Sequence, residues 1–154
     1  MTMIRHAAMQ DVSAICRIDA IVLGNTSRAK ELGESVASGH CYVSYVAAEI
    51  TGFVIMNQSF FQQSFIQYLV VHPRYQNQGI GEDLMLHMEA VCPGAKLFTS
   101  TNLSNKRMQH LCRKLHYVQS GTIDNLDPGD PEVIFCKQIR KRLPKTHPTR
   151  VQTI

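Results

Sequence analysis

Two glycines, Gly79 and Gly81, carry the most specific chemistry in this chain, because of what surrounds them. The apolar run Tyr68-Leu69-Val70-Val71 stops at His72-Pro73. The polar stretch Arg74-Tyr75-Gln76-Asn77-Gln78-Gly79-Ile80-Gly81 follows, and Glu82-Asp83-Leu84-Met85 opens an amphipathic pattern. A strand, a glycine-containing loop and a helix N-terminus together make an anion-binding device. The N–H groups of a first helical turn have no intrahelical partners, and the positive end of the macrodipole points the same way. Gly79 and Gly81 let the backbone come close to a ligand, because no Cβ intervenes. The ligand such a loop fits is a phosphorylated one.

The elements that must hold this loop follow from hydrophobic periodicity. Met3 to His6 reads as a short strand. Asp11 to Leu23 carries Val12, Ile15, Cys16, Ile18 and Val22 at helical spacing and ends at Gly24-Asn25. Ser27 to Gly39 reads as a weakly apolar surface helix, with Ser27 as its N-cap. Elements of that kind often line substrate grooves, though packing alone is the commoner explanation. Cys41 to Ala48 and Gly52 to Asn57 read as an antiparallel hairpin, and Ser59 to Ser64 as a turn that exposes Phe60 and Phe61. Phe65 to Val71 has the nearly continuous β-type run of a central strand. After the glycine loop, Leu84, Met85, Met88 and Val91 share a helix face that Pro93-Gly94 terminates. Lys96 to Thr101 reads as a strand. Asn105 to Leu115 is a helix with Met108, Leu111, Cys112 and Leu115 on one buried stripe. Tyr117 to Asp124 and Glu132 to Lys137 close the chain as strands around an acidic, turn-rich loop. The expected fold class is mixed α/β, a mostly antiparallel central sheet flanked by helices.

Bulk properties narrow the class further. The chain has 154 residues, 44% of them apolar and 18% charged, which suits one globular domain with a real core. No apolar run approaches the ~20 residues of a spanning helix, and Met1 to Arg5 lead into no signal-peptide core. Five cysteines, odd in number and without CxxC spacing, read as reduced thiols in a cytoplasmic protein. They offer no metal site. The net charge of +4 is local: after Glu132 come six bases and no acid, while the rest has ten bases against twelve acids. Without interleaved aromatics, such a tail does not indicate a nucleic-acid partner, and no membrane is expected either.

A dinucleotide loop would follow the first strand with GxGxxG spacing, and a Walker loop would need Lys after its glycine. The stretch here meets neither pattern. It resembles instead the acetyl-coenzyme A loop of the GCN5-related N-acetyltransferase (GNAT) superfamily, in which Arg or Gln is followed by two residues, Gly, one residue, and Gly or Ala. Gln76, Gly79 and Gly81 meet that pattern, and Val70-Val71-His72-Pro73 precedes it as is typical. Asn105, opening a helix three residues before Met108 and followed by Leu115-His116-Tyr117, is similar to the family's second cofactor segment, which commonly ends in Leu-Gly-Phe. The similarity spans residues 3 to 138.

The resemblance implies the acyl-coenzyme A N-acyltransferase fold, an N-acetyltransferase domain over residues 1–138 and a flexible basic tail over 139–154. It implies transfer of an acetyl group from acetyl-coenzyme A to a primary amine of a small molecule or protein. Loop amides of Gln76, Asn77, Gln78, Gly79, Ile80 and Gly81 would hold the pyrophosphate. Main-chain groups of Leu69, Val70 and Val71 would bond the pantetheine arm as a strand does, and a bulge would open the central strand, freeing an N–H near Leu69 or Val70 for the oxyanion. The Asn105 side chain would reach the pantetheine; the competing role is an N-cap on its own helix.

Many relatives use a Glu on the central strand as base and a Tyr in the later helix as acid. Gln67 and Cys112 stand at those positions. Cys112 and Tyr117 are then the candidate proton carriers, with Tyr68, His72 and His116 behind them. Packing on the apolar stripe is the competing role of Cys112. Asp124, Asp127 and Asp130, between the last two strands, are candidates for attracting a cationic acceptor, against the plainer role of a solvated turn. Gln67 and Cys112 also support a rival from another class, an acyl-coenzyme A sensor or interaction module without turnover. A homodimer is compatible with either.

Overall fold

The computed structural model describes residues 2–139; the tail from Arg140 onward, including the flexibility expected of it, lies outside the described residues. Seven strands form one sheet. They are β1 (Met3–His6), β2 (Cys41–Val46), β3 (Glu49–Phe60), β4 (Gln63–Val71), β5 (Lys96–Asn102), β6 (Val118–Ile123) and β7 (Glu132–Gln138), in the spatial order β1-β2-β3-β4-β5-β7-β6. Every pairing is antiparallel except that of β4 with β5. The helices are α1 (Val12–Leu23), α2 (Ala29–Ala37), α3 (Ile80–Val91) and α4 (Lys106–Lys114).

Alternation along β3 divides the core between the two faces of the sheet. Phe53 and Ile55 pack with Ile15, Ile18, Leu32 and Val36 of α1 and α2. Val54, which points the other way, packs with Leu84, Met85, Met88 and Cys112 of α3 and α4. The expected elements stand with shifted bounds: β3 already begins at Glu49 and β4 at Gln63, and two further shifts have a local cause. Helix α2 begins at Ala29 after Arg28, since Ser27 and Arg28 lie in a turn that the Ala29 N–H closes on the Thr26 carbonyl at 3.1 Å. Strand β3 runs on to Phe60, because the reversal needs only Phe61 and Gln62, both left-handed with φ of 52° and 65°. Phe60 therefore packs against Phe65 and Phe98, with ring centroids 5.2 Å apart in each case, and Phe61 alone is left 58% exposed.

Two irregularities in β4 open the sheet. Ile55 pairs with Tyr68 and Met56 with Ile66, so Gln67 is an extra, bulged residue on β4. On the other edge, β4 pairs with β5 only from Ser64 to Ile66, and the Thr99 hydroxyl donates to the Ile66 carbonyl at 3.1 Å at the last tie. Beyond it the strands part. Among the described residues, no strand lies beside the β5-facing edge from Gln67 to Val71.

A cleft through the sheet

The parted strands form the wall of a cleft of about 680 Å³. Leu69, Val70 and Val71 line it, as do Gln76, Asn77, Gly79, Ile80 and Gly81 of the glycine loop, and Asn105 at the head of α4. Gln78 is the one expected loop residue that does not; it is exposed. The cleft also takes in Val22 and Arg28, which belong to the α1–α2 side. It thus reaches both faces of the sheet through the gap between β4 and β5.

The loop end has the features an anionic ligand needs. Gly79 is the N-cap of α3 in the left-handed region (φ 81°), and among the described residues no side chain caps this helix, whose leading N–H groups lack intrahelical partners. Gln76 fixes the loop to the strand before it, its Nε2 donating to the Val71 carbonyl at 3.2 Å. Arg107 of α4 holds the loop from the other side, donating to Gln76 Oε1 at 3.0 Å and Asn77 Oδ1 at 2.9 Å. The Asn105 side chain accepts from the Met108 N–H at 3.1 Å, so it caps α4 while lining the cleft. An uncapped helix N-terminus beside an unpaired strand edge fits coenzyme A, whose pyrophosphate needs the first and whose amide-bearing arm can use the second.

Behind the opposite end stands a carboxylate that the order of residues in the chain conceals. Glu31, in the first turn of α2, accepts from Gln67 Nε2 at 2.7 Å and from the Tyr68 hydroxyl at 2.9 Å. Burial, followed by the bond to Glu31 and the charge of Glu31, raises the Tyr68 pKa. Arg28 lies over the Tyr68 ring, 4.1 Å from its centroid, and pairs through Nε and Nη2 with Asp19, which is 2% exposed. The sequence offered one hint of this group, a weakly apolar helix of the kind that lines grooves.

The residues expected to move protons lie elsewhere. Cys112 is fully buried among the core residues of α3 and α4, and burial pushes its pKa up to about 12. Tyr117 is 3% exposed, and its hydroxyl donates to Glu89 Oε2 at 3.2 Å; burial and the Glu89 charge push its pKa far up. Neither lines the cleft. His72 Nδ1 accepts from the Arg74 N–H at 3.0 Å and caps the short turn Pro73–Tyr75. In the acidic loop, Asp127 accepts from Asn102 Nδ2 at 2.8 Å. Asp130 accepts from the Ser104 N–H and hydroxyl at 2.9 and 2.6 Å, bonds that lower its pKa. These two carboxylates fasten the loop to the turn before α4, and Asp124 is exposed outside the cleft.

The family model for the acetyltransferase (GNAT) family matches residues 11–117. The chain belongs to the GNAT family. Its fold is that of an acetyltransferase of this family from Bacillus cereus ATCC 10987, with 33% identity and a TM-score of 0.86 over 90% of this chain and 97% of that one. The Escherichia coli ribosomal-protein-S18-alanine N-acetyltransferase shares the fold at 18% identity, with a TM-score of 0.82 over 96% of this chain and 99% of that one. The Salmonella typhimurium protein yncA, a putative acetyltransferase solved with its cofactor acetyl-CoA, does so at 16% identity, with a TM-score of 0.77 over 93% and 96%. No curated protein matches the chain. This GNAT protein is therefore an acetyltransferase, and among its described residues no helix is long and apolar enough to cross a membrane.

Proposed function

We propose that this acetyltransferase moves the acetyl group of acetyl-coenzyme A to a primary amine of a small molecule or protein. The observation that carries this reading is the cleft that passes through the sheet. Its α3–α4 end has the glycine loop, and its α1–α2 end is lined by Gln67 and Tyr68, which both donate to the Glu31 carboxylate behind them. Bound acetyl-coenzyme A supplies an acyl group activated on sulfur. The chain's own share is to bring that group and an amine together at the bulge, where positioning is the largest contribution. A main-chain N–H near Leu69 or Val70, unused by β5, stabilises the charge that develops on the carbonyl oxygen. Loop N–H groups between Gln76 and Gly81 hold phosphate, and Asn105 steadies the arm between.

The rival without turnover drew its support from Gln67 and Cys112, which left the chain without a base. Glu31 beside Gln67 offers a carboxylate in place of the missing one, which favours turnover. Release of free thiol from acetyl-coenzyme A, followed across a panel of n-butylamine, spermidine, L-lysine and a peptide with a free N-terminus, tests the reading. The expected result is thiol release that depends on one or more of these amines. Tight binding of coenzyme A without amine-dependent release on the whole panel would sink it.

A further inference from the structure

Resting on the amine-acceptor reading, we propose that Tyr68 and Glu31 form the path by which the acceptor loses its proton, and that Gln67 positions this pair from the bulge. The carboxylate that β4 lacks is supplied by α2.

The hydrogen-bond pattern fixes the direction of the path. Both Glu31 oxygens are acceptors, one from Gln67 and one from Tyr68. The Gln67 amide is held at its other end, where Oε1 accepts from Asn57 Nδ2 at 2.5 Å, and Asn57 Oδ1 in turn accepts from the Ser59 hydroxyl at 2.6 Å. The Tyr68 proton thus points toward Glu31; Arg28 engages one lone pair of the Tyr68 oxygen, which leaves the other to accept a second proton. Tyr68 and Gln67 line the cleft, while Glu31 stands one hydrogen bond behind them. Arg28 over the ring, locked by buried Asp19, keeps Tyr68 from swinging away. Asp19, Arg28 and Glu31 together carry one net negative charge, which favours a cationic amine at this end.

The step balances without a further reactant. An alkylammonium gives a proton to the Tyr68 oxygen as the Tyr68 proton passes to Glu31 Oε2, so no free phenolate forms. The neutral nitrogen then uses its lone pair to bond the acetyl carbon, and the C–S bond breaks with its electrons on sulfur. The second nitrogen proton ends on the thiolate, and Glu31 returns its proton to water. The products are an amide and a free thiol.

The test uses the full chain with Tyr68→Phe, Glu31→Gln, Gln67→Glu and the exchange Glu31→Gln with Gln67→Glu. The kcat/KM for the fastest amine of the panel is measured against pH, alongside binding of n-butylammonium and melting temperature. Tyr68→Phe and Glu31→Gln are expected to lose roughly 10²- to 10³-fold, the range for a removed acid–base group, and to flatten the acidic limb of the profile. Gln67→Glu alone is expected to lose activity, since two carboxylates then meet, whereas the exchange recovers to within about tenfold of the parent because one carboxylate again faces one amide. A full rate in Glu31→Gln overturns the proposal, as does a lowered rate in which every variant keeps the parent acidic limb; the latter result means that Glu31 only pins α2 to β4. If the parent turns over no amine, the acceptor reading fails and binding judges the pair. Weakening of n-butylammonium binding by fivefold or more in Glu31→Gln supports the pair, and unchanged binding overturns it.

Discussion

Arg107 donates to Asn77 Oδ1 at 2.9 Å, joining the first turn of α4 to a loop residue 30 positions earlier. Asn77 is left-handed (φ 63°), a conformation that costs an L-residue free energy and persists when its surroundings hold it. With the second bond to Gln76, one guanidinium sets the shape of the glycine loop.

Removing that strut loosens the loop without touching the core. For Arg107→Ala we expect coenzyme A binding to weaken by about 1–2 kcal/mol, roughly five- to thirtyfold in Kd, the range for exposed charge-assisted hydrogen bonds. The melting temperature should move little, because Arg107 is exposed. Titration calorimetry against coenzyme A checks the first expectation and calorimetric melting the second. An unchanged Kd would mean that the loop keeps its shape unaided.

Gly79→Glu separates binding from folding more sharply. A Cβ at Gly79 meets nothing within 4 Å, so no clash accompanies the change, although φ is 81°. The left-handed conformation costs about 1–2 kcal/mol, a few degrees in melting temperature for a domain of this size. The new carboxylate faces the phosphate end of the cleft, and coenzyme A binding should fall by roughly a hundredfold, which corresponds to about 2.7 kcal/mol. Binding that survives intact would place the pyrophosphate elsewhere.

The loop was legible in the sequence because its shape is set by the backbone. A positive φ at Gly79, an open helix N-terminus and the strand before it are all encoded within fourteen consecutive residues. The core was legible for a similar reason: Met108, Leu111, Cys112 and Leu115 keep helical spacing, and the structure packs all four against the α3–α4 face. Glu31 was not legible. It reaches Gln67 and Tyr68 across 36 and 37 residues of chain, and only the fold of α2 onto β4 brings them together. The partners of the acidic loop were hidden for a similar reason. Asp127 and Asp130 look free in sequence, yet Asn102 and Ser104 take up their oxygens.

Buried thiols make the fold sensitive to alkali. Burial raises the pKa of Cys112 from an ordinary 9.0 to about 12, and that of Cys41 likewise. The unfolded chain therefore loses these protons first, and stability falls as pH rises from about 9 toward about 12 while being unaffected below. Cys112→Ala should flatten that loss in part, at the cost of a small cavity and about 1 kcal/mol at neutral pH. Urea melts at pH 7.5 and 10.5 measure both effects. Acetyl transfer at neutral pH should be nearly unchanged, since Cys112 lines no part of the cleft.

The last prediction is a gain. Helix α4 closes with the His116 N–H on the Arg113 carbonyl at 3.0 Å and the Tyr117 N–H on the Cys112 carbonyl at 2.9 Å, which forces His116 to a left-handed φ of 69°. Relatives commonly hold Gly at this point of the Leu-Gly-Phe segment, and the geometry gives the reason: a C-terminal helix cap of this shape favours a residue without Cβ. His116→Gly removes the strain, at about 1 kcal/mol, and gives back part of it through the greater freedom of glycine in the unfolded chain. The net expectation is a rise of about 1–3 °C in melting temperature. The acetylation rate should be unchanged, because the imidazole lines no part of the cleft. A fall in stability would mean that the His116 ring makes a contact worth more than the strain it carries.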